Sequence, residues 1–268
     1  MYTPEVMQVF AILPAAGLGT RMAGPQPKHP NDKDPSSGTP PKHPNDKDPS
    51  SGTPPKQFLA LDGVPILIHS LRAFDAVEGM TAIYVAVRPS EMERVRAEIA
   101  DYGFAHRVHV VEGGDNRQES VTHALNALPA GPDDIVLVHD AVRPLIDTAT
   151  IERTIHAVLE YGAAIVGLPA VDTIKQVERT AHGAVVTATI PREFIVQAQT
   201  PQGFRYGLLQ KAFAEATADG FVGTDEASVV ERAGMAVAVV PGSQVNLKIT
   251  QPGDLELAEF YLHHQRSH

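Results

Sequence analysis

Short runs of apolar, often β-branched residues recur along this chain and alternate with segments of helical pattern. The runs cover residues 9–13, 83–87, 108–111, 135–138, 164–168 and 237–240. Between them, residues 90–102 fit a helix that opens on a capping box of Ser90 and Glu93, and residues 147–161 fit one that opens on a capping aspartate. Strands that alternate with helices are typical of parallel sheets with right-handed crossovers. We therefore predict an α/β fold with a doubly wound, mostly parallel, Rossmann-like sheet.

Length and composition restrict the function further. The 268 residues are 43% hydrophobic, which suits one domain over residues 1–268. A net charge of −10 disfavours a nucleic-acid partner but leaves room for a basic pocket that binds a small anion. The chain has no cysteine, no basic leader and no apolar run long enough to span a bilayer. We expect a cytoplasmic protein with neither a disulfide nor a membrane partner.

Two segments depart from the alternating pattern. The unit KHPNDKDPSSGTPP at residues 28–41 is repeated without change at residues 42–55. Its composition cannot bury enough apolar surface to offset the entropy of ordering, so residues 28–55 are predicted to be a disordered surface insertion. Residues 171–199 read as a projecting β-hairpin arm. An arm of this kind needs a partner surface, and we expect it to form a homodimer.

The first apolar run leads into the glycine-rich segment LPAAGLGTRM at residues 13–22. Small residues after a strand let backbone N–H groups approach an anion, and an arginine on the same loop suits bidentate phosphate contact. The segment matches neither the Walker pattern nor the dinucleotide fingerprint. It predicts phosphate binding, and a tight turn beside a surface arginine is the alternative. The candidate residues are Pro14, Ala15, Ala16, Gly17, Gly19 and Arg21.

Further motifs follow in order: PKQFLALDGVPIL from Pro55, GGDNRQES from Gly113, HDAVRP from His139, DTIK from Asp172, QTPQ from Gln199, TDEAS from Thr224 and NLKIT from Asn246. Together with the glycine-rich loop, this series resembles the 2-C-methyl-D-erythritol 4-phosphate cytidylyltransferases. The resemblance implies a nucleotidyltransferase-type fold. It also implies transfer of CMP from CTP to 2-C-methyl-D-erythritol 4-phosphate, with Mg²⁺ as cofactor and release of pyrophosphate, in the non-mevalonate route to isoprenoids.

Two other functions stay open on the sequence. A related cytidylyltransferase for ribitol 5-phosphate or another polyol phosphate would share the glycine-rich loop, Lys56 and Asp140. A catalytically silent nucleotide-binding regulatory protein would use the repeat as an interaction segment.

Transfer of CMP to a phosphate monoester needs no general base, because the monoester is already an anionic nucleophile. In-line attack on the α-phosphate depends on positioning and charge neutralisation.

The resemblance also implies roles for single residues. Arg21, Lys56 and Lys248 would hold the triphosphate and stabilise charge at the α-phosphate. Three Pro-Lys pairs occur, at Lys28, Lys42 and Lys56, and Lys56 is chosen because Gln-Phe-Leu follows it. The nucleoside would bind at a turn formed by Gly114, Asp115, Arg117 and Ser120. The methylerythritol phosphate would contact Arg143, Thr173, Arg192 and Thr200, in part across a dimer.

Asp140 comes just after the apolar run 135–138, at the end of a predicted strand. The resemblance makes it the Mg²⁺ ligand, since Mg²⁺ bridges phosphates with few protein ligands. Its alternative role is a helix cap. His139 is expected to be structural, Arg192 has the alternative of a solvated arm residue, and Asp225 with Glu226 is expected to cap the helix after Thr224.

Overall fold

A computed structural model describes residues 7–17, 56–180 and 183–266. Gly19, Arg21 and the repeat at residues 28–55 lie outside the described residues. The elements in chain order are β1 (Val9–Pro14), β2 (Ala60–Leu61), β3 (Val64–Pro65), α1 (Ile66–Asp75), β4 (Met80–Val87), α2 (Met92–Asp101), β5 (Val108–Glu112), α3 (Arg117–Ala127), β6 (Ile135–Val138), α4 (Thr148–Tyr161), β7 (Ala163–Pro169), β8 (Ile174–Thr180), β9 (Gly183–Ile190), β10 (Val196–Arg205), α5 (Tyr206–Ala218), α6 (Glu226–Arg232), β11 (Ala238–Pro241) and α7 (Pro252–Arg266).

The central sheet has seven strands in the order β11-β7-β10-β6-β1-β4-β5. All of its pairings are parallel except those of β10, which runs antiparallel to both β6 and β7. The chain moves from β1 to β4 on one side, while β6 lies on the other side of β1. This arrangement places a topological switch point at the carboxyl end of β1, where such sheets bind ligands.

Helices cover both faces of the sheet because its strands are apolar on both faces. On β1, Val9, Ala11 and Leu13 pack into a cluster with α1, α2 and α4. Phe10 and Ile12 point the other way, into a cluster with α3, α5 and α6. The predicted doubly wound, mostly parallel α/β fold is confirmed.

The two predicted helix starts have different outcomes. Asp147 caps α4 as predicted, since its side chain accepts the backbone N–H of Thr150 at 2.6 Å. The capping box of Ser90 and Glu93 is wrong. Ser90 lies inside a 3-10 turn over Pro89–Glu91, and α2 begins at Met92 without a side-chain cap. Pro89 begins the 3-10 turn before Ser90, so Ser90 lies within the turn and cannot be its N-cap.

The segment 171–199 contains an antiparallel hairpin, β8 paired with β9, that forms its own two-stranded sheet. Most of its side chains are exposed within one chain. The last residues of the segment, from Val196, are instead the start of β10 and pair with β7 in the central sheet. Among the described residues, no helix is long and apolar enough to cross a membrane.

Candidate active site

A cavity of about 330 Å³ opens at the switch point, beyond the carboxyl ends of β1, β4 and β6. Its walls come from six separate segments of the described chain. These are the end of β1 with the residues after it, the residue after β4, the turn before α3 with the start of that helix, the residues after β6, the short turn at Lys56 and the segment that precedes α7. The predicted residues that it brings together are Pro14, Ala15, Ala16, Gly17, Lys56, Gly114, Asp115, Arg117, Ser120, Asp140 and Lys248.

The turn before α3 lies close to the end of β1 because its glycines leave room. A Cβ at Gly113 would meet the Cβ of Ala16 at 2.7 Å, and one at Gly114 would meet the Cβ of Glu119 at 2.3 Å. Ser120 fixes the turn, since its hydroxyl accepts the N–H of Gly114 at 3.1 Å. Asn116, which sequence reasoning did not select, lines the cavity and caps α3 by accepting the N–H of Glu119 at 3.0 Å.

Lys56 is buried, and its ammonium donates to the carbonyl of Thr250. The neighbouring Gln57 donates its side-chain amide to the carbonyl of Ala15 at 2.6 Å, which ties the turn to the end of β1. Phe58 packs beneath the guanidinium of Arg94, 4.0 Å from its ring centroid. These contacts tie the turn that carries Lys56 to the wall of the cavity.

Sequence reasoning missed a further cation at this cavity. Arg88 follows β4 directly, lines the cavity and donates Nε to the carbonyl of Ala16 at 2.8 Å. The signal was available, because Arg88 comes directly after the predicted strand 83–87, at the end where ligands bind. With Lys56, Arg117 and Lys248, it makes the cavity basic in a chain of net charge −10.

Asp140 lies at the centre of three cations. Its carboxylate is 2.9 Å from Nζ of Lys248 and 3.3 Å from Nε of both Arg117 and Arg143. Burial alone would raise the pKa of Asp140, but the positive charges of Arg117, Lys248 and Arg143 outweigh it and hold that pKa well below its usual range. The carboxylate of Asp140 is therefore ionised at neutral pH.

The described residues around Asp140 do not by themselves form a complete metal site. Among the described residues, no group of three or more His, Cys, Asp or Glu side chains is arranged to hold a metal ion. One ionised carboxylate in a basic cavity suits Mg²⁺ only together with phosphate oxygens of a bound nucleotide, since this ion commonly takes one or two carboxylates, phosphates and water. The donor set fits that mode.

His139 is fully buried behind Asp140. Burial lowers the pKa of His139 to about 4, so its ring is neutral at physiological pH. One ring nitrogen contacts the carbonyl of Arg143 at 3.1 Å, and the other contacts the hydroxyl of Thr200 at 3.0 Å. The predicted structural role of this histidine agrees with these contacts.

The four residues that were predicted to contact the methylerythritol phosphate lie in different places. Arg143 is buried, donates to the carbonyl of Asn246 at 2.8 Å and lines a second cavity of about 580 Å³. Thr200 is buried beside Asp140 and lines neither cavity. Thr173 and Arg192 lie exposed at the base of the arm, and Arg192 donates to the carbonyl of Val171, which lines the second cavity. Within one chain, the structure does not bring Thr173 and Arg192 to Asp140.

Comparison with known proteins decides the family. The model of the family described as 2-C-methyl-D-erythritol 4-phosphate cytidylyltransferase matches residues 50–264. The protein of that name from Acidobacterium capsulatum is 64% identical over 97% of this chain and 100% of its own length. The chain belongs to this cytidylyltransferase family.

Solved structures of cytidylyltransferases agree with this assignment. The crystal structure of the Francisella tularensis 2-C-methyl-D-erythritol 4-phosphate cytidylyltransferase superposes with a TM-score of 0.71 at 31% identity, over 94% of this chain and 99% of that one. The Anaerococcus prevotii 4-diphosphocytidyl-2C-methyl-D-erythritol synthase gives 0.73 at 25% identity, over 96% of both chains. The chain is therefore a nucleotidyltransferase enzyme, as its motifs predicted, and the silent-regulator and ribitol phosphate alternatives are not favoured.

Proposed function

We propose that this cytidylyltransferase joins CTP and 2-C-methyl-D-erythritol 4-phosphate at the cavity around Asp140, giving 4-diphosphocytidyl-2-C-methyl-D-erythritol and pyrophosphate. The observation that carries the proposal is the convergence of three cations on one ionised carboxylate at the sheet's switch point. Neutralisation of a triphosphate and of charge that develops during phosphoryl transfer requires this kind of preorganised basic site.

CTP would lie between the end of β1 and the start of α3. The backbone of Ala15 is bonded to Ala86 and Gln57, so the small residues that follow it, Ala16 and Gly17, would face the phosphates. Lys56 and Lys248 also line the cavity and supply positive charge. By the motif, Gly19 and Arg21 continue the same phosphate loop. The turn at Gly114, with Asp115, Arg117 and Ser120, offers the hydrogen-bond partners for the nucleoside.

The acceptor would occupy the second cavity. Arg143, Asp172 and Gln199 line it and offer charge and hydrogen bonds to a polyol phosphate. Lys248 lines both cavities, and this supports a role for it between the acceptor phosphate and the α-phosphate of CTP. Thr173 and Arg192 of the arm would reach the acceptor of a second copy in a homodimer, since they lie away from Asp140 in their own chain.

A divalent metal, Mg²⁺ by the resemblance, would bind at Asp140 together with the phosphates of CTP. When bound, it would neutralise negative charge on the triphosphate. The chain's own part is to keep Asp140 ionised, which Arg117, Arg143 and Lys248 do by their charge. Arg117, Lys248 and Lys56, which line the nucleotide cavity, would also orient the nucleotide for in-line attack.

The test is release of pyrophosphate from CTP with methylerythritol phosphate and with ribitol 5-phosphate in parallel. We expect turnover with the first and a much lower kcat/KM with the second. Asp140→Asn should lower turnover by about 10²-fold or more, since it removes a charge that the site is built around. Absence of turnover with either acceptor would refute the proposed activity, and equal turnover with both would refute the proposed acceptor.

A further inference from the structure

Glu226, the first residue of α6, is fully buried beside the nucleotide cavity. One of its carboxylate oxygens accepts from Nη1 of Arg117 at 2.5 Å. The other oxygen has no hydrogen-bond partner within the part of the chain that the structure describes. The sequence had suggested that Glu226 caps its helix together with Asp225.

Capping of α6 does not need this acid. Asp225 is the capping residue, and its side chain accepts the N–H of Ser228 at 2.9 Å. Gln202 of β10 anchors the same end of the helix, with its amide 2.8 Å from the carboxylate of Asp225 and its carbonyl oxygen 3.0 Å from the N–H of Ala227. The carboxylate of Glu226 is therefore held rigidly but is redundant for the helix.

Stability does not explain Glu226 either. A buried carboxylate with one oxygen unpaired is costly to fold, and without Glu226 the charge of Arg117 would still be compensated by Asp140. Burial raises the pKa of Glu226, although the charge of Arg117 acts in the opposite direction. The residue thus carries an energetic cost at a position next to the site, which points to a function.

Arg117 connects Glu226 to that function. It opens α3, lines the cavity, and places Nε 3.3 Å from Asp140 while Nη1 contacts Glu226. The guanidinium is thereby held between two carboxylates. Without Glu226 it would be free to form a bidentate pair with Asp140, which already contacts Arg143 and Lys248.

We infer that Glu226 is a positioning residue that holds the guanidinium of Arg117 on the wall of the nucleotide cavity and keeps it from folding fully onto Asp140. The inference rests on the proposed function, because it assigns Arg117 to CTP. Loss of Glu226 weakens CTP binding, whereas the free energy of unfolding stays equal or increases.

The experiment compares Glu226→Gln with the unmodified protein in calorimetric titrations with CTP in the absence of acceptor. We expect the Kd for CTP to rise about fivefold to tenfold, the usual effect of losing one charge-assisted hydrogen bond, and the melting temperature not to fall. Glu226→Met, an apolar residue of similar length, should give the same result. The control is Asp219→Asn, which breaks the exposed 2.5 Å ion pair with Arg232 at the other end of α6 and should change neither quantity.

A double-mutant cycle tests whether Glu226 acts through Arg117. In an Arg117→Gln background, Glu226→Gln should have no further effect on the Kd for CTP. A Kd within twofold of the unmodified protein, an additive effect in the cycle, or unfolding of both Glu226 variants would overturn the positioning role. Failure of the unmodified protein to bind CTP would overturn the proposed function as well, whereas CTP binding that is unchanged in Glu226→Gln would overturn only this inference.

Discussion

The hydroxyl of Thr200 lies 3.0 Å from Nδ1 of His139, and the same oxygen accepts the backbone N–H of Asp140 at 3.0 Å. The carbonyl of Arg143 can only accept, so Nε2 of His139 carries the proton that it donates there. Nδ1 is then an acceptor, and the hydroxyl of Thr200 donates to it. This chain of hydrogen bonds fixes the backbone on both sides of the cation cluster around Asp140.

Thr200→Val should destabilise the protein by about 1–3 kcal/mol, because it keeps the shape of the side chain but leaves a buried N–H and a ring nitrogen unpaired. Turnover should fall as well, since Asp140 loses its support. Urea unfolding measures the first effect and pyrophosphate release the second. Thr200→Ser is the matched control and should retain both properties. If the valine variant unfolds at the same urea concentration as the unmodified protein, the hydrogen-bond chain does not contribute to stability.

The free energy of unfolding should also decrease as the pH is lowered, because of His139. Its pKa in the folded protein, about 4, lies below the value of about 6.5 in an unfolded chain. The unfolded state therefore takes up a proton first. The contribution of neutral, buried His139 to the free energy of unfolding is complete above pH 6.5. It is lost as the pH falls towards 4, by about 1.4 kcal/mol per pH unit and about 3 kcal/mol in total. The depressed pKa of Asp140 acts in the same direction, but at pH values below its ordinary range.

Free energies of unfolding measured between pH 7.5 and pH 4.5 test this expectation. His139→Gln keeps a donor for the carbonyl of Arg143 but has no ring to protonate, so its stability should change less over that interval. Parallel slopes for the two proteins would show that another group is responsible for the acid sensitivity.

The assignment of the catalytic lysine is testable because the repeat provides its own controls. Lys56→Ala should lower kcat by about 10²-fold to 10³-fold, since it removes a buried cation from the cavity wall. Lys28→Ala and Lys42→Ala, each also preceded by proline, should retain turnover. Pyrophosphate release from the three variants decides between them, and an active Lys56→Ala protein would overturn the assignment.

The arm should bring two copies together. Val177 and Val186 are cross-strand partners on the hairpin, and about half of each side chain is exposed within one chain (49% and 56%). An apolar pair this exposed suits a partner surface. Val186→Asp should shift the mass in solution from dimer to monomer, measured by light scattering, and should raise the KM for methylerythritol phosphate more than that for CTP. A monomeric unmodified protein would contradict the predicted dimer.

The apolar runs in the sequence predicted most strands of the central sheet, for a physical reason. Strands buried on both faces must be apolar throughout, so β1, β4 and β6 appear as continuous runs. β10 was missed because it carries Gln199, Thr200, Pro201 and Gln202 in the middle of the sheet. Its register shifts between Gln199 and Gln202, where a proline without an N–H can be accommodated. The buried glutamines find partners on distant segments, which no local pattern records.

The same distinction between local pattern and distant contacts applies to the residues of the site. Residues that follow strands or belong to ordered motifs, such as Asp140 and Lys248, were selected and do converge. Gln57 and Glu226 were not selected, because their importance comes from contacts with Ala15 and Arg117, far away in the sequence. Glu226 next to a capping aspartate has the local pattern of a helix start, and only the folded chain shows that its carboxylate pairs with Arg117 of the nucleotide cavity.

The contacts of Gln57 also predict the effect of the repeat on activity. Deletion of residues 28–41 removes one of the two identical units. Among the described residues, Gln57 contacts Ala15, Phe58 lies beneath Arg94 and Lys56 donates to Thr250, and the deletion removes none of these partners. Shortening the connection from about 38 to about 24 residues should stabilise the protein by only about 0.4 kcal/mol of closure entropy. We therefore expect kcat/KM within about threefold of the full-length value, since the described contacts of this turn all lie outside the deleted unit.

Gln57→Leu is the contrasting variant, because it removes the bond to Ala15 while the repeat stays intact. It should lower kcat/KM by about tenfold, the effect of one buried hydrogen bond that holds a catalytic group in place. Pyrophosphate release from the two proteins gives the comparison. A deletion that abolishes turnover while Gln57→Leu remains active would show that the repeat, and not the glutamine, determines where the lysine lies.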